Sequence, residues 1–418
     1  MSNPAIEEFV EKARNVTVSE AADRLGIKLG RNEYTGACPR CGGKDRFSIN
    51  GTKNVYNCRN CGGGRDGIAL MAHVHNLDVR DRAGFLEACA AALGEDIPEG
   101  GERETDEQRQ SRLERIAAIK AENERKFQQK QAEENRFREI EVGKARGIYQ
   151  HAIDLRSAGL TAGEALRRYL ALRTGFEPHP AIHDYIRFAP DHSYWHGTDE
   201  LGRKTSPWQG PAMIAPFMLM DGTVTGCHET WIDISAGPGF NYRPDIGADG
   251  NGNRLPTKKM RGTKKGSVIP VFGTMSAARW VIGEGIETVC AYAAAEGWDS
   301  HTFYCASGDL GNLAGPADPS SAFRHPTIKL GNNQFQKIPG PLPKADQAPG
   351  DALQVPDHVD DLLILVDGDS EFIFTAAAIS RACARLDAAG RTITPFWPPE
   401  GEDFASLFAK LSQGEANQ

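Results

Sequence analysis

The sequence predicts an α/β unit with a mainly parallel sheet at its C-terminal end, a mixed α+β subdomain before it, and a small four-cysteine unit near the N-terminus. A charged helical linker joins the last of these to the rest. Three observations lead to this reading. Apolar strand-like runs alternate with helical stretches from Ala278 onward, four cysteines fall into two CxxC pairs, and an uninterrupted charged stretch lies between the two regions. Alternating strands and helices are the pattern of a parallel sheet with helical crossovers.

Size and composition agree. At 418 residues the chain is long enough for two or three domains, and 40% hydrophobic with 25% charged residues describes a globular protein. The expected divisions are 1–100 (four-cysteine unit), 101–150 (linker), 151–275 (basic α+β subdomain) and 276–418 (α/β unit). No run of about 18 apolar residues occurs, so no membrane span is expected. Met1 to Val10 shows no basic start followed by an apolar core, so a cytoplasmic location is expected. The net charge of −8 leaves room for nucleic-acid binding only through a local basic patch.

In the N-terminal unit, Val16 to Leu25 reads as a short amphipathic helix and Ile68 to Leu93 as helical. Between them, Cys38 and Cys41 pair with Cys58 and Cys61, with sixteen residues between the pairs. Two CxxC knuckles can surround one zinc ion tetrahedrally, and four thiolates leave no open position, so the zinc is structural. Lys44, Arg46, Phe47, Lys53, Tyr56 and Arg59 interleave basic and aromatic side chains. Lys44, Arg46 and Arg59 are expected to contact phosphates, and the two aromatics to pack the ribbon. His73 and His75 are expected on the surface. The remaining cysteines sit among apolar neighbours as small core residues, reduced in a cytosol.

From Glu102 to about Arg146 roughly half of the residues are charged, both signs mix and no proline appears. A long solvated helix with i,i+4 pairs such as Glu122–Lys126 is expected, acting as a semi-rigid spacer. Leu160 to Thr174 reads as a helix, with Thr161 as N-cap and Glu164 closing a capping box. Asp221-Gly222 between the apolar runs Ala212–Met220 and Thr223–Ile234 predicts a hairpin. Residues 235–267 read as loops.

Expected strands in the C-terminal unit are Trp280–Gly283, Thr302–Ala306, Leu362–Val366 and Thr392–Phe396. Expected helices are Ile286–Ala295, Phe372–Ala388 and Phe404–Lys410. A proline- and glycine-rich insertion, about 315–356, interrupts them. Glu284 ends one strand, and Asp367 and Asp369 end another, projecting to the same side. Carboxylates converging at the carboxyl edge of a parallel sheet repel one another unless a hard cation lies between them. Magnesium fits, and manganese suits the same oxygen donors. Asp403 can complete the set or cap the helix that follows. Lys258, Lys259, Arg261, Lys264 and Lys265 fall within eight residues, and on a loop beside that site they would hold phosphates. His228, Glu229 and Trp231 are weaker candidates.

Val281-Ile282-Gly283-Glu284-Gly285-Ile286-Glu287-Thr288 with Leu365-Val366-Asp367-Gly368-Asp369 resembles the Toprim domain of bacterial primases, topoisomerases and certain nucleases. The cysteine element, Cys38-Pro39-Arg40-Cys41-Gly42-Gly43 with Cys58-Arg59-Asn60-Cys61-Gly62, resembles the zinc domain of phage- and plasmid-borne primases. Pro211 to Pro216, Gly222 to Trp231 and Lys258 to Gly262 resemble the subdomain that precedes Toprim. Together they resemble DnaG-like primases, especially mobile-element forms, in which Glu287-Thr288 often replaces a later aspartate. The resemblance implies short RNA, or mixed RNA–DNA, primers made from nucleoside triphosphates on single-stranded DNA. It also implies Glu284, Asp367 and Asp369 as catalytic residues. No GxxxxGK[ST] loop occurs, so a separate helicase is the expected partner. A Toprim nuclease and a non-catalytic DNA-binding accessory protein are the alternatives.

Overall fold

In the computed structural model, residues 4–30, 32–98, 105–158, 160–199, 201–249, 252–329, 335–368 and 370–415 are described. The chain divides into two compact units, Met1–Glu134 with Pro326–Gln336, and Asn135–His325 with Lys337–Gln418.

The first unit opens with α1 (Pro4–Ala13) and α2 (Val18–Arg24). Thr17 caps α2, and Glu20 reaches back to the Thr17 backbone, a capping box that fixes the helix start. Strands β1 (Glu33–Cys38), β2 (Gly42–Asn50), β3 (Val55–Cys58) and β4 (Gly62–Gly64) form an antiparallel meander in chain order. The predicted Ile68–Leu93 helix is two helices, α3 (Gly67–His75) and α4 (Arg82–Leu93). Asn76 ends α3 in the left-handed conformation and Asp81 caps α4, so local capping chemistry breaks the run. Phe47, Ile49 and Tyr56 from the meander share a core with Phe9, Val18, Leu70, Met71 and Cys89 from the helices.

The charged stretch is one 46-residue helix, α5 (Asp106–His151), with Glu122 and Lys126 3.6 Å apart as the i,i+4 pattern implies. It is more than a spacer, because the unit boundary falls inside it and each end packs into its own unit. Arg112 and Arg115 pair with Glu7 and Glu8, while Ala145 is fully buried in the second unit.

The second unit continues with α6 (Leu155–Ala158) and α7 (Glu164–Thr174). The predicted capping box is absent. Leu160–Gly163 form a 3-10 turn, Gly163 occupies the cap position without a side-chain bond, and Glu164 pairs instead with Arg167. Strands β5 (Arg187–Tyr194), β6 (Trp208–Met218), β7 (Val224–Trp231) and β8 (Lys258–Gly262) form an antiparallel sheet in that order. Asp221-Gly222 makes the β6–β7 turn, with Gly222 at φ +82° and Asp221 accepting the Thr223 N–H. The predicted 235–267 loop therefore contains a strand: β8 pairs with β7 from Gly226 to Thr230.

Next come β9 (Ile269–Phe272), β10 (Arg279–Gly283), α8 (Ile286–Ala295), β11 (Thr302–Ala306) and α9 (Leu310–Ala314). Within the proline-rich insertion, β12 (Phe323–Lys329) and β13 (Phe335–Ile338) pair as a two-stranded ribbon, of which Pro326–Gln336 is counted with the first unit. The chain ends with β14 (Asp361–Leu365), α10 (Phe372–Leu386), β15 (Thr392–Phe396) and α11 (Phe404–Glu415). The five-stranded sheet has the order β15-β14-β10-β11-β9, with parallel pairing except at the antiparallel edge strand β9.

Alternation decides which core each parallel-strand residue joins. Trp280, Ile282, Phe303, Cys305, Leu362 and Ile364 face one layer with α9 and α10. Val281, Tyr304, Ala306 and Leu365 face the other, with α7, α8, α11 and the inner side of the antiparallel sheet. Burial on both faces is why these strands read as continuous apolar runs. Among the described residues no helix is long and apolar enough to cross a membrane.

Candidate functional site

Cys38 ends β1, Cys58 ends β3, and Cys41 and Cys61 lie on the turns that follow. All four sulfurs lie within 4.8 Å of one another. A tetrahedron with Zn–S bonds of about 2.3 Å requires S–S separations of roughly 3.8 Å. The donor set and its size therefore suit one structural zinc ion, as the spacing predicts. Phe47 and Tyr56 are buried in the core beneath. Lys44 and Arg59 are exposed and Arg46 is half-buried. Arg59 makes a 3.5 Å ion pair with Asp45.

His73 is corrected by the structure. It is buried on α3, its Nε2 is 3.2 Å from Cys38 Sγ, and its ring lies parallel to Phe47 with centroids 5.8 Å apart. The reason is helical phase: His73 lies on the same face as Ala69 and Leu70, which pack inward, whereas His75 points out.

The second candidate site lies at the carboxyl edge of the parallel sheet. Glu284 directly follows β10, and Asp367 lies two residues beyond β14, the parallel neighbour of β10. Both line a cavity of about 210 Å³ together with Asp403, Glu287, Arg173, His228 and Lys258. The structure thus brings Glu284, Asp367 and Asp403 to one cavity. Asp369 lies outside the described residues. The loop after β14 is pinned at Gly368, whose N–H donates to the Glu402 carbonyl. A Cβ on Gly368 would lie 2.8 Å from that oxygen, so only glycine lets the two loops meet.

Asp403 both lines the cavity and caps α11. Its carboxylate accepts the Ser406 N–H and O–H at 2.5 Å each, leaving its second oxygen for another partner. These three acids share a cavity lining, but among the described residues only the four cysteines bring metal-ligating atoms within 4.8 Å of one another.

Beside them lies a buried ion network. Glu287 Oε1 accepts from Tyr169 Oη at 2.7 Å and Arg243 Nη2 at 2.8 Å, and Oε2 accepts from Lys258 Nζ at 2.9 Å. Burial opposes ionisation of Glu287, but Lys258 and Arg243 outweigh it and hold the carboxyl well below its usual range. Burial, followed by Lys258, pushes the neighbouring His228 imidazole down to about 3, so it is neutral. Arg173 enters the same cavity, donates to Asn241 Oδ1 and keeps a buried Nε without a hydrogen bond.

The first part of the basic cluster is a strand rather than the expected loop. Lys258, Lys259 and Arg261 lie on β8, so alternation sends them to opposite faces. Lys258 faces the carboxylate cavity. Lys259 stands 3.4 Å from the Tyr194 ring centroid, and Arg261 pairs with Glu141 and Glu229. Glu229 is buried and also holds His192 Nε2 at 2.5 Å. Lys264 pairs with Asp309, while Lys265 is exposed. On the Arg261 side is a second cavity of about 720 Å³, lined by Lys144, His151, His192, Trp195, Lys204 and Arg261.

Tyr169, Arg173 and Arg243 carry no motif and lie far from Glu284 in sequence, so no local signal marks them. His228 was the nearest to legible, through its place on a strand close to the basic cluster.

Residues 142–270 match a family described as a domain of unknown function, DUF7146. No curated protein matches the chain. The similar solved structures are DnaG-type primase domains. The zinc-binding and RNA polymerase domains of the Aquifex aeolicus primase are 15% identical with a TM-score of 0.32, covering 100% of this chain and 84% of that one. A DNA primase domain from Pseudomonas aeruginosa is 11% identical with a TM-score of 0.34, covering 66% and 78%. A DnaG primase catalytic domain bound to ssDNA is 16% identical with a TM-score of 0.35, covering 67% and 80%. All three scores lie below 0.5, so the functional reading rests on the chain's own residues.

Proposed function

We propose that this protein is a DNA primase of the DnaG-like, mobile-element type, making short RNA primers on single-stranded DNA. The observation that carries the reading is the meeting of Glu284 and Asp367, from the ends of two adjacent parallel strands, in one cavity with Arg173 and Lys258. Acids and cations so close suit a metal-bound triphosphate better than either suits a neutral ligand. In this reading residues 276–418 form a Toprim catalytic domain, 151–275 the basic subdomain, 101–150 the linker and 1–100 the zinc ribbon.

Glu284, Asp367, Asp369 and Asp403 would hold Mg²⁺, or Mn²⁺, which when bound supplies positive charge to the phosphates. Arg173, through its unpaired buried Nε, and Lys258 would bind and orient the triphosphate. Glu287 keeps Lys258 and Arg243 in place from below. The larger groove, with Trp195 47% exposed between Lys144, Lys204 and Arg261, suits a single strand, one base stacking while cations hold phosphates. Lys44, Arg46 and Arg59 would add template contacts in the first unit. Lys259, Lys264 and Lys265 have weaker claims, since they line neither of the two cavities. A separate helicase would supply single-stranded template.

The test is primer synthesis on circular single-stranded DNA with labelled nucleotides and magnesium, comparing the wild type with Asp367→Ala. Short nucleotide-dependent products that vanish in the variant support a primase. Metal-dependent loss of template assigns a nuclease instead. DNA binding with neither activity, unchanged by magnesium and by the substitution, assigns a binding protein.

A further inference from the structure

The cysteine cluster has a neighbour that the four-ligand description omits. His73 is 6% exposed, the cysteine sulfurs are mutually within 4.8 Å, and His73 Nε2 sits 3.2 Å from Cys38 Sγ alone. Phe47 and Tyr56 flank the imidazole, with centroids 5.8 and 5.2 Å away, and fix its plane. Tyr56 is itself held by its hydroxyl, which donates to the Ala69 carbonyl on α3. A zinc-bound thiolate has no S–H and can only accept a hydrogen bond. A contact of this length therefore stabilises only if Nε2 carries the hydrogen.

We propose that His73 is a positioning residue of the zinc centre, donating Nε2–H to the Cys38 thiolate and tying α3 to the metal. Four thiolates on one Zn²⁺ leave a net charge of about −2. An N–H donor at Cys38 offsets part of that charge inside a buried site, where no water can. It also fixes the Cys38 rotamer, so the ligand is already oriented when metal arrives. Cys41 and Cys61 are half-buried and have no imidazole donor among the described contacts. The inference holds whether or not the protein makes primers.

The test uses the full chain, zinc-loaded, with metal content fixed by elemental analysis. His73→Phe keeps a flat ring between Phe47 and Tyr56 but removes the donor. Transfer of zinc to a chromophoric chelator should speed up roughly 10- to 100-fold in His73→Phe, the usual effect of losing a partner to a metal ligand. His73→Gln, which keeps an N–H of similar reach, should restore most of the slow release. Nitrogen-15 spectra of the wild-type His73 ring should show hydrogen on Nε2, a readout that does not need a folded variant. Equal release rates at equal zinc content, or Nε2 bare or bound to metal, would overturn the proposal. A chain that takes up no zinc would refute the cysteine assignment itself, a different failure.

Discussion

The cysteine cluster and the carboxylate cavity face the same problem, bringing mutually repelling groups together, and meet it by opposite routes. The cysteine ligands fall within one short meander, each CxxC presented by a single turn, so strand pairing over a few residues assembles the site. The carboxylates come from the ends of β10 and β14 and from the turn before α11, and meet only when the whole second unit is folded. A local site depends on its metal for folding, whereas a distributed site depends on its fold and then accepts a metal.

Metal removal should therefore separate the two most sharply. Stripping zinc should cost the first unit about 10 kcal/mol or more, the scale of structural zinc binding, and unfold it. Chelating magnesium should leave stability nearly unchanged. Limited proteolysis of the full chain, read by mass spectrometry, checks both. Equal protection of residues 4–98 with and without zinc would remove the contrast.

Asp367→Ala comes next in effect. Synthesis should fall to background, a loss of 10³-fold or more if the carboxylate holds the catalytic cation, roughly 4 kcal/mol in the barrier. The melting temperature should shift little, because removing one of several crowded carboxylates relieves repulsion.

Glu287 sets the opposite expectation within the same cavity. Glu287→Gln leaves the half-buried Lys258 and Arg243 without the carboxylate they share and should cost the second unit about 3–5 kcal/mol. The pH dependence follows from its depressed carboxyl. An unfolded glutamate titrates near 4.3, so the wild type's advantage is complete above that pH and is lost as pH falls toward the folded value. Denaturant titrations of both proteins from about pH 7 down to about pH 3.5 should show the gap between them narrowing. A constant gap would mean that shape, not charge, holds the network.

Legibility in the sequence follows the same local–distributed divide. The cysteine site could be read from spacing, and β10, β11 and β14 from apolar runs, because burial on both faces leaves no polar interruptions, whereas the edge strand β15 is mostly exposed. Strand β8 was hidden because Lys-Lys-Met-Arg-Gly lacks strand composition and is held by pairing to β7. Strand β9 contains Pro270, which an edge position tolerates but which hides it as a strand. The Thr161 capping box failed because a 3-10 turn moved the helix start past it. Glu284 and Asp367 were legible as strand-end acids, yet Tyr169, Arg173 and Arg243 were not. Each becomes functional only through contacts distant in sequence, and no periodicity records such contacts.

The smallest expected effect probes the exposed cations of the first unit. Lys44 is solvent-exposed, and Arg59 has only a 3.5 Å surface pair with Asp45, which offers little stability to lose. Replacing either with alanine should leave the unfolding free energy within about 0.5 kcal/mol of wild type. If each contacts a template phosphate, the slope of log affinity against log salt should fall by about 0.7 per residue removed on single-stranded DNA. Fluorescence anisotropy across a salt series measures this directly. An unchanged slope in the Lys44→Ala, Arg59→Ala double variant would confine the template to the Trp195 groove and leave the cysteine unit a role other than phosphate contact.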